Sequence, residues 1–516
     1  MVDTHVGTKS YKSPLLWLPC ELLVHTASYL SPEDLFNLRL TCRRIETFLF
    51  DTFSEEFFAN RRFMVTECLK CLIDISKHPT LSKRLIKFTI GLDRLYSSDA
   101  LPSVGDGGWG DNNLPTKRGV EPYRLEELAV EQNWLVSSGR LQLLLSEALN
   151  DLPNLIELNL RDASIIREFP RPESNPSFVS HGTAEVRRQT GIDLSSNESH
   201  LHQQDQFADI IFSTALLAVA RSGKRLKAIT VDIQKRDMGL SSSAFAIPKS
   251  LVSSLRFALQ DLRSLNLSVS FTYVTLGSFA TGSMAFLRWQ PHYLFSFLEY
   301  TPNLTRIRIE SKGPSFLSDG IIGWLARLVD LSNGKQVEGS RLHGRLQPGF
   351  DHVALGQRFH NLQVLELGNM ISPTESLSKV LLHLTSSLRK LGLCMVGLSV
   401  APGDDELDNN RRSPNAWSYI FREMSKSTCL EDIHISSLGH HTPGCTTGDN
   451  KHQVVFLKSE FGVQSGPRNG LLNTWSHVGS ISVMKAFLVE VAEKTVVICS
   501  SCKQRNSSYR TSEEIL

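Results

Sequence analysis

Apolar positions along this chain follow two regimes. Between Leu18 and Phe50, in "LPCELLVHTASYLSPEDLFNLRLTCRRIETFLF", they are dense and recur at helical spacing. Leu22, Leu23, Thr26 and Leu30 share one face of a helix opened by Pro19, whose missing N–H costs nothing at that place. Ser31-Pro32-Glu33-Asp34 begins a second helix: Ser31 caps, Pro32 suits the first helical position, and Asp34 stands where a capping-box acid would. Leu35, Leu38 and Leu40 give that helix its apolar face. Thr41 to Phe50 predicts a third, with Ile45, Phe48 and Leu49 inward and Arg43 and Arg44 wet. Thr66 can cap a further helix to about Lys77, which His78-Pro79 ends.

From residue 85 a shorter pattern takes over. One apolar residue, two others, an apolar, one other and an apolar recur as Leu85/Phe88/Ile90 and Leu155/Leu158/Leu160. The same spacing gives Leu226/Ile229/Val231, Leu262/Leu265/Leu267, Leu304/Ile307/Ile309, Leu362/Leu365/Leu367, Leu388/Leu391/Leu393 and Leu430/Ile433/Ile435. Each reads as a short strand with alternate residues inward. Helix-like stretches precede most of them: "LQLLLSEALN", "FADIIFSTALLAVARSG", "SLVSSLRFALQ", "YLFSFLEY", "LSKVLLHL" and "AWSYIFREMSK". Gly223 suits a helix stop. Helix then strand, repeated, predicts parallel strands laid side by side, an irregular leucine-rich-repeat α/β solenoid, or horseshoe. The spacing is uneven, so the solenoid carries inserts. An ordinary doubly wound sheet ranks below it, because no Gly-rich turn leads from a strand into a helix.

Loops or disorder are expected at about 97–122, 163–204, 334–350, 399–414 and 440–470, where Gly, Ser, Pro, Asn and charge gather. The expected division is a disordered start (1–12), a helical unit (13–52), the repeat region (53–438), an irregular C-terminal cap (439–502) and a flexible tail (503–516).

A chain of 516 residues is too long for one ordinary core. Its 41% hydrophobic and 21% charged residues are those of a soluble globular protein, and a formal net charge of +2 gives no pull toward nucleic acid or membrane. The first residues hold no apolar signal segment, and no apolar run approaches the roughly 20 residues a bilayer needs. Nine scattered cysteines then read as reduced thiols of the cytoplasm or nucleus.

Catalytic and metal signals are weak. "GDGGWG" puts Gly105, Gly107 and Gly110 in dinucleotide register, but between loops rather than strand and helix. Cys68/Cys71 and Cys499/Cys502 could make a four-cysteine zinc site only across most of the chain, and the first pair lies on one predicted helix. His440, His441, Cys445 and His452 cluster loosely in an expected loop. There is no nucleophile elbow, no HExxH and no phosphate loop. Cys42 stands beside the basic Arg43 and Arg44, and core packing suits it better than reactivity. No cofactor, no metal and no catalytic residue is expected.

Three helices in so short a span cannot bury much alone, so some of their apolar surface is expected to meet either another protein or the rest of the chain. The stretch resembles the F-box, through Leu18-Pro19, Glu21-Leu22-Leu23, Tyr29-Leu30, Ser31 to Leu35, Leu38, Leu40 and Cys42-Arg43-Arg44. Phe57 to Ile90 resembles the segment that follows the F-box in many filamentous-fungal F-box proteins. The resemblance implies docking to a Skp-family adaptor, and through it to a cullin scaffold. Leu18, Pro19, Leu22, Leu23, Leu35, Leu38, Leu40 and Cys42 would supply the contact or its supporting core. Thr26 and Ala27 depart from the family's usual Ile and Leu.

Non-leucine strand positions would line the open face of the solenoid and meet a protein target: Lys87, Glu157, Asn159, Arg161, Asp232, Arg306, Arg308, Glu366, Lys390 and His434. Their signs are mixed, which does not suit nucleic acid. The implied role is a non-catalytic, target-binding subunit of an SCF-type ubiquitin ligase. The alternatives are an F-box scaffold outside a cullin complex and a metal-binding protein built on the late His/Cys cluster.

Overall fold

A computed structural model describes residues 14–95, 122–162, 180–191, 194, 206–235, 238–270, 292–312, 319–332, 361–399, 415–441, 451–457, 463–465, 471–498 and 509–510. "GDGGWG", Cys445, Cys499, Cys502 and most of the expected inserts lie outside these residues. The fold is mixed α/β: a small N-terminal helical unit leads into one large mixed sheet.

The helical unit is α1 (Cys20–Ala27), α2 (Pro32–Leu40) and α3 (Arg43–Phe58). Pro19 is the N-cap of α1 in extended conformation. Ser31 caps α2 as its sequence predicts, accepting from the Asp34 N–H at 3.1 Å. Its own hydroxyl donates to Asp34 Oδ2 at 2.7 Å, so the acid serves the cap through the serine. The third helix runs eight residues past the expected Phe50, because Phe53, Phe57 and Phe58 go on supplying an apolar side; Phe53 stacks on Phe57.

The remaining elements follow in order: β1 (Asn60–Met64), α4 (Leu69–Lys77), α5 (Leu81–Arg84), β2 (Lys87–Gly91), α6 (Pro122–Ser137), α7 (Arg140–Asn150), β3 (Glu157–Arg161), α8 (Thr183–Thr190), α9 (Phe207–Ser222), β4 (Ala228–Asp232), α10 (Val252–Leu259), β5 (Ser264–Ser270), α11 (His292–Glu299), β6 (Arg306–Lys312), α12 (Asp319–Ser332), β7 (Val364–Pro373), α13 (Thr374–His383), β8 (Lys390–Ser399), α14 (Ala416–Met424), β9 (Asp432–Ser436), β10 (Gly439–His441), β11 (Lys451–Leu457), β12 (Val463–Ser465), β13 (Leu471–Leu472), β14 (Thr474–Val478), α15 (Ile481–Lys494), β15 (Thr495–Ile498) and β16 (Tyr509–Arg510).

Strands β1 to β9 pair in chain order, each parallel to the last. The leucine pattern becomes two apolar ladders. One runs Phe88, Leu158, Ile229, Leu265, Ile307, Leu365, Leu391, Ile433, and the other Ile90, Leu160, Val231, Leu267, Ile309, Leu367, Leu393, Ile435; every member is at most 2% exposed. Helices α4, α7, α9, α12, α13, α14 and α15 contribute to the same continuous core. Gly223 ends α9 in left-handed conformation at φ 64°, as expected of a glycine stop.

A second repeat, invisible in the sequence, lies in the backbone. At each of β2 to β9 two consecutive N–H groups donate to a single carbonyl of the preceding turn. Ile86 and Lys87 share Ala59 O, Ile156 and Glu157 share Ile86 O, and the series continues to Glu431 and Asp432 on Arg389 O. Asn154 of "NLIELNL" and Asn303 of "NLTRIRI" add side-chain bonds of 2.7 Å to Lys83 O and Gln260 O.

Beyond β8 the sheet forks. The first half of β8 pairs with β9 and its second half with β10. Asn369, Met395 and Ser437 stand at one level of β7, β8 and the β9–β10 junction, with φ of 50°, 54° and 51°. This left-handed step shifts the alternation by one residue, so Met370, Val396 and Leu438 follow Leu367, Leu393 and Ile435 into the core. Residues 440–470 are therefore not only loop, since β10, β11 and β12 lie there; likewise α8 occupies part of 163–204. Among the described residues no helix is long and apolar enough to cross a membrane.

Candidate functional site

Two surfaces hold the residues singled out by the sequence. The first is the helical unit, whose small core of Leu23, Ala27, Leu35, Ile45 and Leu49 is separate from the main one. Leu38 and Cys42 pack against it half-buried, so Cys42 is a packing residue. Leu23 and Leu35, at 1% and 2% exposure, are supporting core and not contact surface. Leu18 is half-buried and Pro19 exposed. Leu22 is 51% exposed and Leu40 60%, and Trp17, Tyr29 and Phe36 of the same unit are exposed too. Trp17 and Phe36 escaped the sequence reading because they fall off the inward-facing helical spacing.

Thr26 is exposed and its hydroxyl donates to Leu22 O at 2.7 Å, so the polar group that replaces the expected Ile is satisfied within its own helix. The later part of α3 ties the unit to the sheet region. Asp51 pairs with Arg84 at 3.1 Å, and Phe50 lies against His78.

Residues 15–54 match the F-box-like family model. F-box domains are protein-interaction modules that bind Skp-type adaptors, and the exposed apolar side chains lie within this matched segment. No curated protein gives a significant match to the sequence.

The second surface is the sheet face opposite the apolar ladders. Register places Lys87, Glu157, Ala228, Ser264, Arg306, Val364, Lys390 and Asp432 in one row. Thr89, Asn159, Thr230, Asn266, Arg308, Glu366, Gly392 and His434 make the next. All ten target-binding candidates thus share one face, but not one environment. Asn159, Arg161, Asp232 and Glu366 are buried at 1%, 7%, 9% and 9%, so these four are corrected from open-face residues to buried ones. Asn159 donates to Thr89 across the row, and Arg161 pairs with Asp232 at 3.5 Å. Arg62 of β1 donates to Arg161 O and to Asp93, extending this internal polar group.

Toward β6–β9 the face opens. Lys87 and Glu157 are half-buried and pair at 3.2 Å at the other end. Arg306 meets Glu366 at 3.3 Å; Lys390 bridges Glu366 at 3.6 Å and Asp432 at 2.9 Å; Glu310 takes Lys312 at 2.8 Å and Arg308 at 3.8 Å. Between them lies a hollow of about 570 Å³, counted to its open mouth and lined by Arg308, Glu366, Gly368, Gly392, Met395 and His434 among others. The His434 imidazole is held below its usual pKa by burial and then by Lys390, so it is neutral at pH 7. Sequence reading missed the hollow. Its signal was glycine at strand positions where neighbouring turns carry charged side chains, in "LELGNM" and "LRKLGLCM".

The late histidines are in strands. His440 of β10 stands opposite His452 of β11, ring centroids 6.2 Å apart. Burial, then His452 and His441, lower the His440 pKa to about 4. Cys68 is the N-cap of α4 and Cys71 lies within it, exposed. Among the described residues no three His, Cys, Asp or Glu side chains gather as a metal site.

Proposed function

We propose that this protein is the target-recognition subunit of an SCF-type ubiquitin ligase. The F-box-like unit docks a Skp-family adaptor that carries a cullin scaffold, and the sheet face of β6–β9 holds a protein target. The role is non-catalytic: it raises the local concentration of a bound lysine at a charged conjugating enzyme. Cytoplasm or nucleus is the compartment that suits reduced cysteines and such a partner. We read the parallel sheet as a degenerate leucine-rich-repeat horseshoe. The eightfold strand-start hydrogen-bond repeat supports that reading.

The observation that carries the proposal is the incomplete helical unit. It has its own core, yet Leu22, Tyr29, Phe36 and Leu40 remain about half exposed or more within the family-matched segment. Exposed apolar side chains gathered in so small a unit mark a surface for another chain. The test is affinity purification with mass spectrometry, comparing the intact protein with a form lacking residues 1–52. Adaptor and cullin should be recovered with the first only. Recovery of adaptor without cullin would replace the ligase role by a scaffold role, and recovery of neither would end the proposal.

A further inference from the structure

The hollow on β6–β9 is built by absence of side chains. Gly392 sits between Glu366 and His434 in its row, and Gly368 between Glu310 and Cys394 in the next. A Cβ at Gly392 would come within 3.0 Å of Glu366 Cγ, and one at Gly368 within 3.2 Å of Glu310 Cγ. Any larger residue at either place would fill the floor. Met395 forms the lip, 45% exposed and held at φ 54°, a region costly for a side chain of its shape.

The charges around the mouth are layered. The Glu366 side chain is 11% exposed, while Arg306 and Lys390, which pair with it, are 49% and 25% exposed. The carboxylate lies underneath and orients the cations above it. The lining itself balances, Arg308 and Lys390 against Glu310 and Glu366, and the flanking Arg306 and Lys312 against Asp432 add one positive charge. A glycine floor with a thioether lip accepts an apolar side chain of adaptable shape. A cation-dressed rim accepts an anion beside it, with long-range steering that salt weakens.

We propose that the hollow recognises a short acidic segment of the target protein, seating one apolar side chain over Gly368 and Gly392 against Met395 and holding a neighbouring carboxylate at Arg306 and Lys390. This deepens the receptor reading and rests on it.

The test is selection from a display library of random 12-residue peptides on the full-length protein. The Arg306→Glu and Gly368→Leu variants are run beside it, with adaptor capture and a thermal melt for each. Arg306 flanks the hollow, and Lys390 still pairs with Glu366 when it is changed; Gly368→Leu plugs the floor. The expected result is enrichment of peptides with an acidic residue next to an apolar one. Binding of a selected peptide should fall at least tenfold in either variant and several-fold between 50 and 300 mM salt, while adaptor capture and melting stay unchanged. Enrichment of basic or uncharged peptides, or acidic binding that both folded variants retain, overturns the inference and leaves adaptor docking intact. Absence of adaptor capture by the unaltered protein overturns the receptor reading instead.

Discussion

Truncating Leu22 and Leu40 separates a docking surface from a folding core. The two side chains are 51% and 60% exposed, so about half of each remains to be covered by a partner. Full burial of a leucine is worth about 1.5–3 kcal/mol, so the uncovered halves together hold roughly 2–3 kcal/mol. Alanine keeps the Cβ, which brings the expected loss of adaptor affinity for Leu22→Ala with Leu40→Ala to ~2 kcal/mol, about thirtyfold in Kd. The same change at Leu23, 1% exposed, removes core and leaves a cavity; it should cost about 2–5 kcal/mol of unit stability. Titration calorimetry with a purified Skp-type adaptor, paired with denaturant melts, reads both quantities. The double variant should bind weakly and melt normally, and Leu23→Ala should melt early. Adaptor affinity within twofold of the starting protein in the double variant would refute the argument, as would an equal loss of stability in both.

Thr26 satisfies its hydroxyl on its own helix and remains exposed, so Thr26→Ile adds apolar surface without orphaning a partner; adaptor affinity should rise about threefold in the same calorimetry. Replacing Arg161 by Met leaves the Asp232 carboxylate buried without its cation, and a denaturant melt should show a loss of roughly 3 kcal/mol. His440 has its folded pKa lowered to about 4 from the ordinary 6.5, so the folded form resists protonation. Its contribution is complete above pH 6.5 and disappears as pH falls toward 4, by up to about 3 kcal/mol. Denaturant midpoints across that window should fall steeply, and less steeply in His440→Gln; identical slopes would show that other groups carry the acid sensitivity.

The apolar ladders were legible because burial on one sheet face forces period-two leucines into every turn. The helices before them were legible for the same reason at period 3.6. What the sequence hid has physical causes. β1 carries Arg61 and Arg62 amid its apolar residues, so its pairing with β2 depends on partners the local pattern does not show. The left-handed steps at Asn369, Met395 and Ser437 put two core residues three apart, which breaks strict alternation. β11 to β16 are antiparallel or edge pairings whose register rests on distant residues. On the helical unit the family resemblance marked the right segment, but burial divides its residues: Leu23 and Leu35 support, while Pro19, Leu22 and Leu40 face outward. On the sheet face, spacing alone set Asn159 and Arg308 in one row and could not tell that the first is sealed and the second borders a hollow.

The shared-carbonyl strand start has an evolutionary consequence. Consecutive strands begin as little as 26 residues apart (Val364 to Lys390) or as much as 71 (Glu157 to Ala228), yet each docks through the same two N–H groups. A loop more than doubled in length adds only about 1 kcal/mol of closure entropy. The anchoring of a turn is thus indifferent to how far the chain wanders before it. Insertions can accumulate between turns without disturbing the alignment of the strands.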